Sequence, residues 1–282
     1  MIIVRISGGL GNQLFQYALA RRLQENAQEE VRIDVSKFHP LLQGKITPRD
    51  FALDCFNVTL KKTTLVQNVL RKIRTNFLKT MHVVHDKTTF VFNGSVLIHT
   101  SKAYFLGNWA NFRYGTPIKQ ILLKEFTLKN PLSEEGARIL QQEESSNSVS
   151  VHIRRGDYVQ HQSKFIELKK DYYEKAVSIL RERTAHPKFF IFSDDGAYVK
   201  THFHELFGED VVYVSESHLS DFEEMVLMSK CKHNIIANST FSLWAAWLNQ
   251  NDKAIVVAPK KYRADDADDS DLIPSGLDWL QI

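Results

Sequence analysis

Short apolar segments alternate with amphipathic segments through the second half of the chain. Val149-Ser150-Val151-His152-Ile153 alternates apolar and polar residues and is rich in β-branched side chains, a pattern typical of a short buried strand. Ser220-Asp221-Phe222-Glu223 has the capping-box pattern that opens a helix. Strands are predicted at 149–153, 189–192, 211–214, 234–237 and 255–257, with helices between them. This alternation predicts a parallel, doubly wound α/β sheet.

The beginning of the chain shows the same pattern once. Residues 2–6 predict a strand and residues 7–13 a glycine-rich loop. Apolar residues then recur at helical spacing before a second predicted strand at 31–35. A strand, glycine loop, helix and strand in this order form the opening of a nucleotide-binding-type sheet.

A polar run separates the two regular parts. Residues 143–148 contain no apolar side chain and predict a linker, whereas residues 36–130 show little regular pattern. We therefore predict an α/β protein of two Rossmann-like domains, with the boundary between residues 145 and 146. The N-terminal domain would cover 1–145 and the C-terminal domain 146–282.

Composition excludes several classes of protein. The 282 residues are 43% hydrophobic and carry a net charge of +3, which is too small to argue for a nucleic-acid partner. Cys55 and Cys231 are too far apart in sequence to suggest a disulfide framework or a zinc site. The first residues form a strand pattern too short for a signal peptide, and no apolar run is long enough to span a bilayer. We predict a cytoplasmic protein and leave contact with the inner face of the cell membrane open.

One basic segment bears on that question. Lys61, Lys62, Arg71, Lys72 and Arg74 accompany apolar residues at helical spacing, namely Leu65, Val69, Leu70 and Ile73. The pattern favours an amphipathic helix with a solvated basic face over contact with a membrane surface or lipid phosphates.

The end of the strand 149–153 carries the chemistry. His152 and Arg154 fall on one face of the strand, and Arg155, Gly156 and Asp157 follow. Ligands bind at the carboxyl edge of parallel sheets, and an arginine fork suits phosphate or carboxylate. Gly156 would permit a sharp turn, and Asp157 could brace either arginine. A solvated basic pair on a surface turn is the alternative.

A helix start and an acidic pair follow at the same predicted edge. Asn238, Ser239, Thr240 and Phe241 lie between a strand and a helix, where unpaired amides and the helix dipole attract anions. Asp194 and Asp195 end another strand, where a carboxylate could accept the two donors of a guanine edge. A metal-binding pair is the competing interpretation, disfavoured because Arg154 would itself neutralise a phosphate that such a metal would bridge. The acidic run 265–271 lacks the glycine and glutamate of a calcium loop, so we predict no metal site.

The N-terminal loop permits three interpretations. Gly9-Leu10-Gly11 begins a dinucleotide fingerprint, and Asp34 lies where a ribose-binding acid would fall, but Leu14 replaces the third glycine. A dehydrogenase is therefore disfavoured. The loop can equally be a tight turn without a ligand, or a place where Gly9 and Gly11 let the backbone approach a ligand closely and Asn12 offers an amide donor and acceptor.

Four segments together resemble the α1,2-fucosyltransferases, and more loosely the α1,6- and protein O-fucosyltransferases. They are Gly8 to Ala18, His152 to Tyr158, Ser193 to Asp195, and Asn238 to Leu248. The resemblance implies a GT-B-type architecture, in which an acceptor-side domain and a GDP-fucose-binding domain face a cleft. It also implies an inverting transfer of L-fucose from GDP-β-L-fucose to the 2-hydroxyl of a terminal β-galactoside in a surface glycan or O-antigen. The partners are then GDP-fucose and a galactose-terminated acceptor, without metal or other cofactor.

The resemblance also assigns roles to single residues. Arg154 would hold the β-phosphate, His152 and an aspartate of the 194–195 pair would read the nucleoside, and Ser239, Thr240 and Phe241 would close over phosphate and fucose. Asn238, Arg155, Gly9 and Gly11 complete the expected donor site. Arg154, Asp157 and Asn12 are the catalytic candidates, although the leaving phosphate could itself accept the acceptor's proton. A non-catalytic guanine-nucleotide or glycan-binding protein on the same fold is the alternative.

Overall fold

The computed structural model describes most of the chain as two compact units. The described residues are 1–27, 29–39, 50–88, 90–98, 101–156, 166–264, 271–273 and 276–282. The first unit comprises Met1–Lys129 with Ser270–Ser275, and the second comprises Asn130–Asp269 with Gly276–Ile282.

The first unit contains, in its described part, a four-stranded parallel sheet of order β2-β1-β4-β3. The strands are β1 (Ile2–Arg5), β2 (Val31–Asp34), β3 (His82–His85) and β4 (Ala103–Leu106). The helices are α1 (Leu10–Asn26), α2 (Leu65–Asn76) and α3 (Lys119–Glu125). Helix α1 follows the glycine loop and is buried along most of its length, which accounts for the apolar residues at helical spacing in the sequence.

The second unit contains a six-stranded parallel sheet of order β10-β9-β8-β5-β6-β7. The strands are β5 (Asn147–Ile153), β6 (Pro187–Ser193), β7 (Val211–Tyr213), β8 (His233–Ile235), β9 (Val256–Ala258) and β10 (Leu280–Gln281). The helices are α4 (Glu134–Glu144), α5 (Lys170–Arg183), α6 (Gly196–Phe207), α7 (Asp221–Lys230) and α8 (Thr240–Leu248). The predicted parallel α/β fold is confirmed, and the capping box opens α7 as expected.

The strand order fixes where a ligand can bind in the second unit. The chain runs from β5 through β6 to β7 on one side, and then returns to β8, β9 and β10 on the other side of β5. The direction of winding therefore reverses between β5 and β8. In open α/β sheets such a reversal leaves a crevice beyond the carboxyl ends of the two strands.

The two faces of β5 differ in character. Val149, Val151 and Ile153 join the apolar cluster formed with α5 and α6. Ser148, Ser150 and His152 alternate with them and are also buried. Ser150 accepts a hydrogen bond from Asn234 Nδ2 at 2.7 Å, so this polar side chain of β5 is satisfied by β8.

The polar run 143–148 is not a linker. It forms the last turn of α4 and the start of β5, and Glu143 and Ser148 are fully buried. The two units divide after Lys129, so α4 lies in the second unit. Helix α4 is tied to α7 there, because Glu223 Oε1 accepts a hydrogen bond from the Ser133 backbone at 2.8 Å.

Neither a membrane-spanning helix nor a metal-binding cluster is found in the part of the chain that the structure describes. None of its helices combines the length and the apolar character that crossing a bilayer requires. It also contains no cluster of three or more histidine, cysteine or acidic side chains able to hold a metal ion.

Candidate active site

The sequence-predicted residues of the second unit that the structure describes lie at the carboxyl edge of the sheet, beyond the ends of β5, β6 and β8. Ile153 pairs with Ser193 as the last step of the β5–β6 register, so the residues that follow each strand leave the sheet side by side. Helix α8 begins at Thr240, a few residues beyond the end of β8. The sheet thus brings together the arginine loop, the acidic pair and a helix N-terminus, as the sequence analysis predicts.

Arg154 and Asp194 form the central ion pair. Nη1 of Arg154 lies 2.9 Å from Oδ2 of Asp194, and both side chains are partly exposed. The other carboxylate oxygen of Asp194 accepts the backbone N–H of Arg155 at 2.9 Å. Asp194 therefore fixes both the direction of the Arg154 fork and the path of the loop that carries it.

Glycine is needed at residue 156 because the Asp194 carboxylate lies close to it, and not because the backbone there is left-handed. A Cβ at residue 156 would lie 2.3 Å from Oδ2 of Asp194, and the φ angle of Gly156 is not positive. The expectation that Gly156 serves a sharp turn is replaced by a simpler cause. The Asp194 carboxylate lies against the Gly156 backbone, where no side chain can fit.

Arg155 lies in a different environment from Arg154. Its guanidinium carbon lies 3.1 Å from the ring centroid of Tyr198, and its Nε is 3.4 Å from Glu167 and 3.9 Å from Asp195. Cation–π stacking and two nearby carboxylates hold the side chain on α6. Its Nε and Nη1 are buried without a hydrogen-bond partner in the described part of the chain. Asp157, the expected brace and catalytic candidate, lies outside the described residues.

Asp195 has a structural partner of its own. Its Oδ1 accepts the backbone N–H of Tyr198 at 3.2 Å and caps helix α6. Its backbone N–H donates to Ser193 Oγ at 3.0 Å, which continues the turn out of β6. Both aspartates thus have protein partners, and their proposed contacts with a nucleoside would add to these bonds.

His152 is a buried, neutral imidazole. It is 4% exposed, and its ring centroid lies 5.5 Å from that of Phe241 on α8. Burial, with the nearby charge of Arg154 as the smaller cause, lowers the pKa of His152 to about 3. Its Nδ1 is buried and has no hydrogen-bond partner among the described residues. A neutral ring beside an arginine can still make one hydrogen bond to a ligand.

The N-terminus of α8 is suited to binding an anion. Ser239 caps the helix by accepting the Phe241 N–H at 3.3 Å, and Thr240 and Phe241 are half-buried at its first turn. The Asn238 amide donates to the carbonyls of Ile166 at 2.8 Å and Tyr262 at 3.1 Å. Asn238 therefore joins two chain segments to the start of the helix. The positive end of the helix dipole faces the same sheet edge as Arg154.

Glu224 is a residue that sequence reasoning missed. It lies on α7 near Asp194 and Asp221, and burial together with these two carboxylates raises the pKa of Glu224 to about 8. A protonated carboxyl can donate a hydrogen bond at neutral pH. Tyr198 and Glu167 were missed as well. The contacts of these two residues with Arg155 depend on which helix packs beside the arginine loop, and local sequence does not specify that packing.

The glycine loop of the first unit is held by two buried glutamines that the motif contains. Gln13 donates to the carbonyls of Gly8 at 2.9 Å and Asp50 at 2.8 Å, and accepts the Ala52 N–H at 3.0 Å. Gln16 accepts the Ser7 N–H at 2.7 Å. The motif therefore preserves the shape of the loop.

The individual glycines of the loop differ in what they require. Gly8 has a φ of +80°, and a Cβ there would lie 2.9 Å from Nδ2 of Asn12. A Cβ on Gly9 would meet nothing within 4 Å, so this residue leaves open space at the start of α1. Gly11 is buried in the first turn of the helix. Close approach of a ligand at Gly9 and Gly11 stays a prediction.

Asp34 does not serve as a ribose-binding acid. It is fully buried, accepts a hydrogen bond from the Tyr104 hydroxyl at 2.8 Å, and lies 3.5 Å from Arg71. Its other oxygen accepts the Ser36 N–H at 2.9 Å. These bonds occupy the carboxylate and remove the main support for the dehydrogenase alternative.

Comparison with known proteins identifies the class of enzyme. The computed fold is similar to that of the fucosyltransferase NodZ from Bradyrhizobium, with a TM-score of 0.51 at 14% identity over 86% of this chain and 91% of the other. The protein thus has the α/β fold of the GT-B glycosyltransferases. The model of glycosyl transferase family 11 matches residues 1–273, and the chain belongs to this family.

Relatives within this family act on more than one sugar. An α1,2-colitosyltransferase of Escherichia coli is 32% identical over 92% of this chain and 91% of its own length. The O-antigen biosynthesis glycosyltransferase WbnK of Escherichia coli is also 32% identical, over 92% and 94%. The mouse galactoside 2-α-L-fucosyltransferase Sec1 is 30% identical over 52% of this chain and 42% of its own length. The expected family and the expected glycosyltransferase activity are confirmed.

Proposed function

We propose that this glycosyltransferase moves L-fucose from GDP-β-L-fucose to the 2-hydroxyl of a terminal β-galactoside, with inversion at the anomeric carbon. The acceptor would belong to a surface glycan or O-antigen. The observation that carries the proposal is the crevice between β5 and β8. There an oriented arginine, a neutral histidine and a helix N-terminus share one sheet edge in a family 11 member.

Arg154 would stabilise the departing diphosphate. Negative charge builds on the β-phosphate as the glycosidic bond breaks, and a donor oriented beforehand stabilises that charge more than it stabilises the ground state. The Asp194 carboxylate holds the guanidinium at 2.9 Å, which supplies that orientation. The N-terminus of α8 would add a second positive pole. Chelation of the phosphates by a metal ion is then unnecessary.

The nucleoside would be read by His152 and one aspartate of the 194–195 pair. A carboxylate can accept both donors of the guanine edge, and a base lacking that edge would leave polar groups unsatisfied. GDP should therefore inhibit transfer far more strongly than ADP or UDP does. The measurement is competition at a fixed concentration of the sugar donor. Equal inhibition by the three nucleotides would argue against guanine recognition.

Proton removal from the acceptor has three candidate routes. Asp157 is the carboxylate next to the arginines in sequence, Asn12 can only orient a hydroxyl, and the leaving phosphate can accept the proton itself. Asp157→Asn separates the first route from the others. A loss of about 10²-fold or more in turnover, with donor binding preserved, supports Asp157 as the base. A near-normal rate supports the phosphate.

The direct test is incubation with GDP-fucose and a panel of terminal galactosides, followed by determination of the linkage in the product. An α1,2-linked fucosyl galactoside is the expected product. Binding of GDP-fucose with neither transfer nor hydrolysis would instead favour the non-catalytic alternative. Transfer to a hydroxyl other than the 2-hydroxyl would overturn the acceptor assignment.

Colitose is the second candidate sugar, favoured by the α1,2-colitosyltransferase that is 32% identical over 92% of this chain. Colitose is L-fucose without its 3-hydroxyl, so the two candidates differ by one polar group. A site that hydrogen-bonds the 3-hydroxyl would reject colitose strongly, whereas an apolar pocket would discriminate weakly. The ratio of kcat/KM for GDP-fucose and GDP-colitose decides between them.

A further inference from the structure

Helix α2 of the first unit exposes its apolar side chains and packs its polar side on the protein. Its apolar side chains Leu65, Val66, Val69, Leu70 and Ile73 are exposed, and Phe77 and Leu78 directly after the helix are exposed as well. Leu65 is 83% and Phe77 79% exposed. We call these seven side chains the apolar face. A surface helix normally buries its apolar side, so an exposed apolar face of this length indicates a missing partner.

The opposite side of α2 is polar and packs on the protein. Thr75 is buried, and Asn68 and Arg71 are half-buried. Arg71 lies 3.5 Å from the buried Asp34, and its guanidinium carbon is 4.1 Å from the ring centroid of Tyr104. The ion pair and the aromatic contact fix the rotation of the helix. The apolar face is therefore directed outward by specific bonds.

Positive charge borders the apolar face on both sides. At 3.6 residues per turn the apolar side chains of the helix fill an arc of about 140°, with Lys72 just beyond one edge and Arg74 just beyond the other. Both are exposed, and neither has an ion-pair partner among the described residues. Residues 61–85 contain six Lys or Arg and no Asp or Glu. The rest of the chain has 30 Lys and Arg against 33 Asp and Glu. Lys61, Lys62 and Arg71 pair with acids from outside this segment, so Lys72, Arg74 and Lys79 are its cations without an ion-pair partner among the described residues.

The charge continues into an adjoining cavity of about 560 Å³. Its cationic lining residues are Arg5, Lys37, Arg71, Lys72 and Lys79. The Nε atoms of Arg5 and Arg71 are buried without a hydrogen-bond partner in the described part of the chain. The surface beside the apolar face is thus suited to anionic head groups.

We propose that α2 and its flanking cations dock this enzyme on a bilayer that carries anionic phospholipids. A second copy of the chain is the other occupant to consider. A two-fold interface through this face would bring the same cations together, which opposes association. An anionic bilayer matches both the apolar face and its cationic borders, with α2 lying in the plane of the interface. The proposal depends on no assumption about donor or acceptor, so its failure would leave the proposed function standing.

The test is flotation of the full chain with vesicles of phosphatidylcholine alone and of phosphatidylcholine with about one-third phosphatidylglycerol. Binding should require phosphatidylglycerol and weaken with added salt, because surface charges are screened. The variant Leu65→Glu with Val69→Glu removes apolar contacts, and Lys72→Glu with Arg74→Glu reverses the bordering charge. Each should weaken binding about tenfold or more.

Matched controls separate this surface from general charge effects. Lys170→Glu with Lys253→Glu lowers the net charge at exposed positions of the second unit as much as Lys72→Glu with Arg74→Glu does, and more than Leu65→Glu with Val69→Glu, and should leave vesicle binding unchanged. Circular dichroism checks folding, which exposed substitutions should preserve. The proposal fails if the wild type does not float with anionic vesicles, if both vesicle types bind equally, or if Leu65→Glu with Val69→Glu binds normally. A dimer that this variant dissociates would assign the face to a second copy instead.

Discussion

Asp194 is the residue on which the geometry of the second-unit site depends. One of its oxygens holds Arg154 and the other holds the backbone of Arg155, each at 2.9 Å. The pair is partly exposed, so its contribution to stability is small. The ion pair instead orients the Arg154 side chain, so that the guanidinium fork is already aligned before a ligand arrives.

The two arginines should respond differently to replacement by lysine. Lysine keeps the charge of Arg154 but loses the planar fork, so Arg154→Lys should cost about 10²–10³ in turnover, nearly as much as Arg154→Ala. Arg155→Lys keeps a charge beside Glu167 and Asp195 and should retain measurable transfer. Steady-state transfer to a galactoside measures both, with circular dichroism as the folding control. Near-normal turnover of Arg154→Lys beside an inactive Arg155→Lys would assign the diphosphate to Arg155.

Gly156→Ala should act through Asp194. The added Cβ would meet the Asp194 carboxylate at 2.3 Å, so the carboxylate must move and release Arg154. Misplacement of a catalytic group by about 1 Å costs about 10²-fold in rate. Transfer rates of Gly156→Ala, Asp194→Ala and the double variant form a cycle, in which the double variant should be no worse than Asp194→Ala alone. Independent, additive losses would show that Gly156 serves something else.

At the scale of secondary structure, α4 buries a carboxyl group against the sheet of the second unit. Glu143 is fully buried. Burial is the largest cause that raises the pKa of Glu143 to about 9, and Cys231 is a neighbouring polar group. The helix therefore packs with a neutral acid at physiological pH.

Glu143 should make stability depend on pH. Its ordinary pKa of 4.5 applies in the unfolded chain, so between pH 4.5 and about 9 the folded state retains a proton that the unfolded state loses. The free energy of unfolding should fall as pH rises through this range. Glu143→Gln should be neutral at pH 5 and increasingly stabilising towards pH 9. Urea unfolding at several pH values measures this, with the exposed Glu144→Gln as control. A gain that does not grow with pH would contradict the burial of a protonated Glu143.

At the scale of the whole molecule, each unit pairs a parallel sheet with its own distribution of charge. The second unit places an arginine and a helix N-terminus at the switch point of its sheet. The first unit places its excess of cations on α2 and the adjoining cavity. We interpret these as separate surfaces, one for the sugar donor and one for the membrane.

Transfer should be independent of divalent metal ions. The proposed phosphate contacts come from Arg154 and the α8 N-terminus, which take the place of a cation. Activity in excess chelator should match activity in added magnesium or manganese. A loss of most activity in chelator, restored by either ion, would return Asp194 and Asp195 to the metal-binding interpretation.

Most elements of the second unit and the residue types of its site are readable from local sequence. Apolar patterns located β5 to β9 but not the two-residue β10, the capping box predicted the start of α7, and the family motifs lie at the ends of strands or the starts of helices. These features are readable because hydrophobic period, cap and turn are set by neighbours in the chain. The pattern predicted neither β3, whose side chains are mostly exposed, nor β4, and for α2 it predicted the helix but not that its polar side packs on the protein.

Which side chains meet depends on the packing of elements that are distant in the sequence. The pairing of Arg154 with Asp194, the need for glycine at 156 and the stacking of Arg155 on Tyr198 follow from β6 lying beside β5. The membership of α4 in the second unit and the outward apolar face of α2 depend on the buried partners Glu223 and Asp34. Each is a contact between residues far apart in the chain, set by strand order and helix rotation, which local patterns do not specify.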